Sequence, residues 1–192
     1  EVTVNRLYYQ FPVGDDFTAT FGAKVRQDDM LAVWPSNYPA DTVIDFFTYA
    51  GAPGAYSLTL GGGAGLWWEN DGFSVSGSYV SGNADNGNPN RLEATTPNGG
   101  IATDASAANA TAQIAYADER WGIAAAYSYT SGDNGAGVYR GNATPAAVTI
   151  SQLGTSNNFG VSAWWSPANT GWIPSLSAGW GLSALDPNEQ NE

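Results

Sequence analysis

The amino-acid sequence predicts an all-β fold: an antiparallel transmembrane β-barrel with about eight strands present, part of a larger barrel of about 16–18 strands. Three observations predict it. Candidate strands alternate between an apolar parity and one of small uncharged residues, as "FSVSGSYVSG" at 73–82 does. The connections alternate strictly between short and long, as in barrels with tight periplasmic turns and long extracellular loops. Every short connection is bracketed by an aromatic pair on the apolar parity.

Composition agrees. Charged residues are 12 % of the 192, about half the usual share, and the chain is instead rich in glycine, with 24. No apolar run approaches the length of a membrane-crossing helix, and no helical period persists over three turns. With neither cysteine nor histidine, disulfides, thiol catalysis, His-based zinc sites and Ser–His or Cys–His nucleophiles are excluded. A net charge of −12 makes nucleic acid and anionic headgroups poor partners for the bulk surface. No cofactor, metal site or catalytic group is expected, and no enzyme.

Taken in order, the first strand is expected at about 2–11, ending at the turn "PVGDD". The second, 17–26, sets Phe17, Ala19, Phe21, Ala23 and Val25 against Thr18, Thr20, Gly22, Lys24 and Arg26. A long connection (27–55) leads to a third strand at 56–68, whose "GGGAG" (61–65) reads as a bend or a thin place in the wall. The turn "ENDG" joins it to the fourth, 73–82. A second long loop (83–109), polar and Gly/Asn-rich, precedes the fifth strand at 110–117; "DER" turns it into the sixth, 121–131. There Trp121, Ile123, Ala125, Tyr127 and Tyr129 oppose Gly122, Ala124, Ala126, Ser128 and Thr130. After a third long loop (132–157) come strands at 158–166 and 173–184, joined by "SPANTG". The polar loops have little to pack, so mobility is expected of them. "NADNGNPN" (83–90) lacks the Glu of a calcium loop, and "NAT" at 109–111 and 142–144 matches a glycosylation acceptor by chance.

The aromatic pairs are Phe11 and Phe17, Trp68 and Phe73, Tyr116 and Trp121, Trp165 and Trp172. Amphipathic rings settle at headgroup depth, so these read as a girdle at the lipid boundary. A looser set, Tyr56, Tyr79, Tyr129 and Trp180, stands further along the strands.

Three stretches carry a family resemblance: "NRLYYQFPVGDDFTATFGAKVRQDDMLAVWPSNYP" (5–39), "DFFTYAGAPGAYSL" (45–58) and "ERWGIAAAYSYTSG" (119–132). They resemble the cyanobacterial major outer-membrane porins, related to the carbohydrate-selective OprB porins and also called iron-uptake porins. The resemblance implies a trimeric barrel in the bacterial outer membrane and passive diffusion of small hydrophilic solutes, inorganic ions above all. Sugar passage is the name of the wider family. It also implies an N-terminal S-layer-homology domain as the link to peptidoglycan, and nothing like that domain occurs in these residues. If short turns are periplasmic, both ends of the eight strands lie outside, so an internal fragment of a larger barrel is expected.

Arg6, Lys24 and Arg26 share the polar parity of the first hairpin in strands otherwise free of charge. With the turn centred near Gly14, Arg6 lies opposite Gly22 and diagonal to Lys24, as one arm of a pore-lining field. The first long loop is less polar than the others. Its Asp28, Asp29, Asp41 and Asp45 surround Met30, Leu31, Val33, Trp34 and Tyr38, which suits a constriction loop folding inward. Packing elsewhere, including against a neighbouring protomer, is the other outcome. Acids at the short turns (Asp15, Asp16, Glu69, Asp71, Asp118, Glu119) read first as keeping those turns solvated. Taken with the loop acids they give both mouths a negative potential that enriches cations, whereas the basic cluster favours anions within, and the sequence does not say which wins. Two other functions fit less of the pattern: a non-conducting structural or adhesive barrel, and a soluble carbohydrate-binding sandwich with exposed tryptophans.

Overall fold

Eight strands form in the computed structural model, which describes residues 3–39, 48–89, 98–131, 155–169 and 171–186. They are β1 (Leu7–Val13), β2 (Phe17–Arg26), β3 (Leu60–Asn70), β4 (Phe73–Ser81), β5 (Ala108–Ala117), β6 (Trp121–Thr130), β7 (Thr155–Trp165) and β8 (Leu176–Asp186). All lie in one sheet in chain order, each antiparallel to its neighbours. Among the described residues β8 does not pair with β1, so the sheet is open, with two free edges.

The all-β expectation holds, and most boundaries fall within a few residues of the alternation. β7 begins three residues early, at Thr155, and three strands start later than expected for local reasons. β1 runs from 7 to 13 rather than 2 to 11. Its register slips between Leu7 and Tyr8, and Pro12, without an N–H, is tolerated because β1 is an edge. β3 begins at Leu60, not 56, since Leu58 takes a left-handed backbone (φ 53°) and the residues before it leave the sheet. β8 starts at Leu176, opposite Trp165, because Pro174 shortly before it lacks a ladder donor. The two-residue turn at Asp71 and Gly72, φ 48° and 82°, has the positive φ pair that closes a tight hairpin between β3 and β4.

Register preserves the two faces across strands. One row reads Phe17, Trp68, Val75, Ile114, Ala125, Val161, Trp180; another reads Thr20, Gly65, Ser78, Thr111, Ser128, Asn158, Ser183. Burial is inverted relative to a water-soluble sheet. Val75, Ile114, Val161 and Trp180 are 50–58 % exposed, whereas Thr20, Thr111, Ser128 and Asn158 are 0–4 % exposed. Among the described residues, nine of the fourteen buried hydrophobics are alanine. Among the described residues the buried side therefore has no conventional apolar core, while the apolar face is continuous and uncovered, unlike the face of an ordinary soluble monomer.

Candidate functional site

What buries the polar face is the connection between β2 and β3. Its described parts, 27–39 and 48–59, cross the sheet from β2 toward β8 and return, forming a strap. It starts with a 3₁₀ turn, Gln27–Met30, where the chain leaves β2. The Ala32 N–H donates to Ser76 Oγ at 3.0 Å. The Val33 carbonyl accepts from Gln113 Nε2 at 2.7 Å. At the far side, Asn37 donates to the carbonyls of Trp165 and Leu176, and its own N–H to Ser177 Oγ. On the return path Tyr56 donates its hydroxyl to Gln113 Oε1 at 2.7 Å, and burial pushes the Tyr56 hydroxyl pKa up. Gln27 Nε2 closes the circuit with bonds to the Ala55 carbonyl and Thr111 Oγ1.

Small side chains on the wall make this docking possible. A Cβ added at Gly160 would come within 2.6 Å of Ala52 Cβ, and one at Gly181 within 2.6 Å of Ala52 Cα. One at Gly65 would meet Met30 Cβ at 2.8 Å, and one at Gly179 would collide with the Ala50 carbonyl. Within the "GGGAG" run Gly65 lies beneath the strap, whereas Gly62 faces Ala84 and Ile101 of the second long loop. On β7 and β8 the glycines seat the strap's backbone, where the alternation reads as room for solvent. Two small clusters fill the seam: Tyr49, Ala52, Ala55, Tyr56 and Ala126 with Trp34 packed on them, and Val25, Met30 and Val80. The seam is nonetheless polar. Gln27 Oε1, Trp34 Nε1, Ser74 Oγ, Ser78 Oγ, Asn158 Oδ1 and Ser162 Oγ are buried without a protein partner, the setting in which water usually bridges.

The three basic residues do not assemble as one cluster. Tyr8, not Arg6, stands opposite Gly22, and Leu7 faces Lys24. On the other side of β2 the register slips between Gly22 and Val25, so Ala23 and Lys24 stand where β3 has Gly62 alone. That bulge reverses the parity beyond it. Val25, expected among the outward apolar residues, is buried beside Val80; Lys24, expected on the polar face, is exposed, its Nζ donating to the Val4 carbonyl at 2.8 Å. Arg6 and Arg26 do meet the strap. Arg6 Nε lies 2.7 Å from Asp29 Oδ2, which also accepts the Arg26 N–H at 2.8 Å. The Arg26 guanidinium holds both oxygens of Asp28. Asp41 and Asp45 lie outside the described residues.

The aromatic pairs form a belt at the short-turn end, with changes of partner. Phe73 and Tyr116 have ring centroids 4.7 Å apart, and Tyr116 and Trp121 5.2 Å. Trp121 pairs with Trp165, and Phe17 with Trp68. Phe11 sits one step further in, opposite Ala19 and stacked on Tyr9 at 5.4 Å. Trp172 is off the strands, in the last turn, and 93 % exposed. Tyr56 is no outer ring: it is buried under the strap.

The described part of the second long loop is closely bonded. Asn83 donates to the carbonyls of Asn98 and Ala105 and accepts from the Ala107 N–H, and the Ala102 N–H reaches Tyr79 Oη. Asn109, in the first "NAT", is fully buried. Residues 132–154 lie outside the described set. Sequence reasoning missed Gln27, Gln113, Asn158 and the seat glycines; the available signal was long amides on an otherwise small-residue parity. Comparison with family models, with curated proteins and with solved structures finds no match to the chain.

Proposed function

We propose that this sheet is part of the wall of an outer-membrane porin, and that the strap is the element that narrows its conduit. The observation that carries the reading is the inverted burial. The apolar face, ringed by aromatic residues at the short-turn end, suits hydrocarbon, and the polar face with its docked strap suits a water-filled interior. No second sheet covers the apolar side among the described residues, which disfavours a soluble sandwich. The resemblance of residues 5–39, 45–58 and 119–132 to the cyanobacterial porins points the same way and supplies the expected class of traffic: small hydrophilic solutes, inorganic ions above all. Trimeric assembly and outer-membrane location belong to the same proposal.

Eight strands closed alone would leave an interior just wide enough for side chains, and the strap would fill it. The conduit therefore requires further strands joining β1 to β8. A plugged structural or adhesive barrel is favoured by one observation, the strap's reach from β2 to β8. Planar-bilayer recording of the full-length protein separates the two. Stepwise, ohmic openings support the conduit, and silence across salts and voltages rejects it in favour of the plugged barrel.

A further inference from the structure

We infer that the conduit prefers small cations to anions, because its wall-side arginines are neutralised at the root of the strap while its short-turn mouth is acidic. The inference rests on the conduit reading above. Its first support is local pairing. The arrangement that would produce a transverse field, bases on the wall facing acids across the lumen, is not formed by the described residues. Arg6 is bound to Asp29, and Arg26 to both oxygens of Asp28. Each pair is a compact dipole whose field decays within a few ångströms in water. Lys24, the third base, is carried off the polar face by the bulge at Ala23 and Lys24.

The second support is the rest of the described polar face. From β3 through β7 it carries hydroxyls, amides, glycine and alanine together with Trp67, Val80 and Trp164, and its sole charge is Glu69 at the turn end. The turns β1–β2, β3–β4 and β5–β6 all lie at one end of the sheet. There Asp15, Asp16, Glu69, Asp71, Asp118 and Glu119, all exposed, have Arg120 as the only counter-charge in those turns among the described residues. A mouth of one sign raises the local concentration of counter-ions, and a neutral wall behind it does not reverse the choice. The balance that the alternation left open, acidic mouth against basic wall, tips because the wall bases are occupied.

The test is the reversal potential of the full-length protein in a potassium chloride gradient at low ionic strength, where the Debye length is about 10 Å or more. A cation-selective sign is expected. Replacing Asp28 and Asp29 with asparagine removes the carboxylates seen on Arg6 and Arg26, makes the root of the strap two charges more positive, and should lower the cation-to-anion permeability ratio by at least about twofold, the effect of even one unit charge several ångströms from the ion path in water. Should that variant fail to fold, neutralising the exposed turn acids gives a second reading, again with a lower ratio. Anion preference in the unaltered protein, or a ratio unchanged in both variants, overturns the inference and leaves the conduit standing. Absence of any conductance overturns both.

Discussion

Gln27 and Thr111 are 84 positions apart in the chain, yet the Gln27 amide donates to Thr111 Oγ1 at 2.9 Å. The same nitrogen donates to the Ala55 carbonyl at 3.0 Å, so one buried side chain ties both ends of the strap to β5. Gln27→Leu keeps the bulk and leaves the buried Ala55 carbonyl unpaired, while Thr111 Oγ1 retains Asn109 and Ser128, at a cost of about 1–3 kcal/mol in strap docking. Trp34, packed within the seam, reports it. Its fluorescence should become accessible to acrylamide in the variant, and a signal as protected as before would place the anchoring elsewhere.

The seat glycines set a second expectation. Gly160→Leu drives a side chain into Ala52 and Ala55 and should lift the strap, destabilising the fold by about 1–3 kcal/mol and raising single-channel conductance. Gly77→Leu is the control, since nothing lies within 4 Å of its added Cβ on the outer face. Equal thermal stability of the two variants would show that the strap does not rest on β7.

Alkaline pH should loosen the strap through Tyr56. Its hydroxyl is ordinarily ionised near 10.0, and burial in the docked state raises that value. The neutral form is therefore the one that fits the docked strap. Docking is fully favoured below about pH 10 and weakens as pH rises beyond it, by at most about 1.4 kcal/mol per pH unit. Tyr56→Phe forfeits the bond to Gln113 but has no proton to lose. Acrylamide quenching of Trp34 followed against pH should therefore show an alkaline step in the parent that the variant lacks.

The outward face offers a test that distinguishes membrane from water. Val161 is 51 % exposed and sits mid-strand in the apolar row between Ala125 and Trp180. Val161→Arg should cost about 2–4 kcal/mol of stability in lipid vesicles if that row meets hydrocarbon. On a water-washed face the same change stays within about 0.5 kcal/mol. Urea unfolding of the protein in vesicles gives the difference.

Much of the sheet was legible because a period of two is a strong signal when both parities are pure, as in β6, where every odd position is exposed and every even one buried. Legibility failed where the ladder is irregular. The bulge at Ala23 and Lys24 adds one residue without breaking the alternation of residue types, so Val25 and Lys24 were placed on the wrong faces. "AYSLTL" reads as strand, but Tyr56 finds its partner in Gln113, 57 positions away, a long-range bond no local pattern encodes. The glycines of β7 and β8 were visible as small residues, though not as seats. A missing side chain reads the same in sequence whether solvent or a backbone fills the gap. Arg6 and Arg26 were identified with acids in reach, yet which acid each would take depends on the 3₁₀ turn at Gln27–Met30.

The central claim is that the Phe- and Trp-bearing side of the sheet meets hydrocarbon, and a spin label at Val161 tests it most directly. With the full-length protein in lipid vesicles, collisions of the nitroxide with dissolved oxygen should far outnumber those with a water-soluble nickel chelate. Dominant collisions with the chelate would place that face in water and contradict the account.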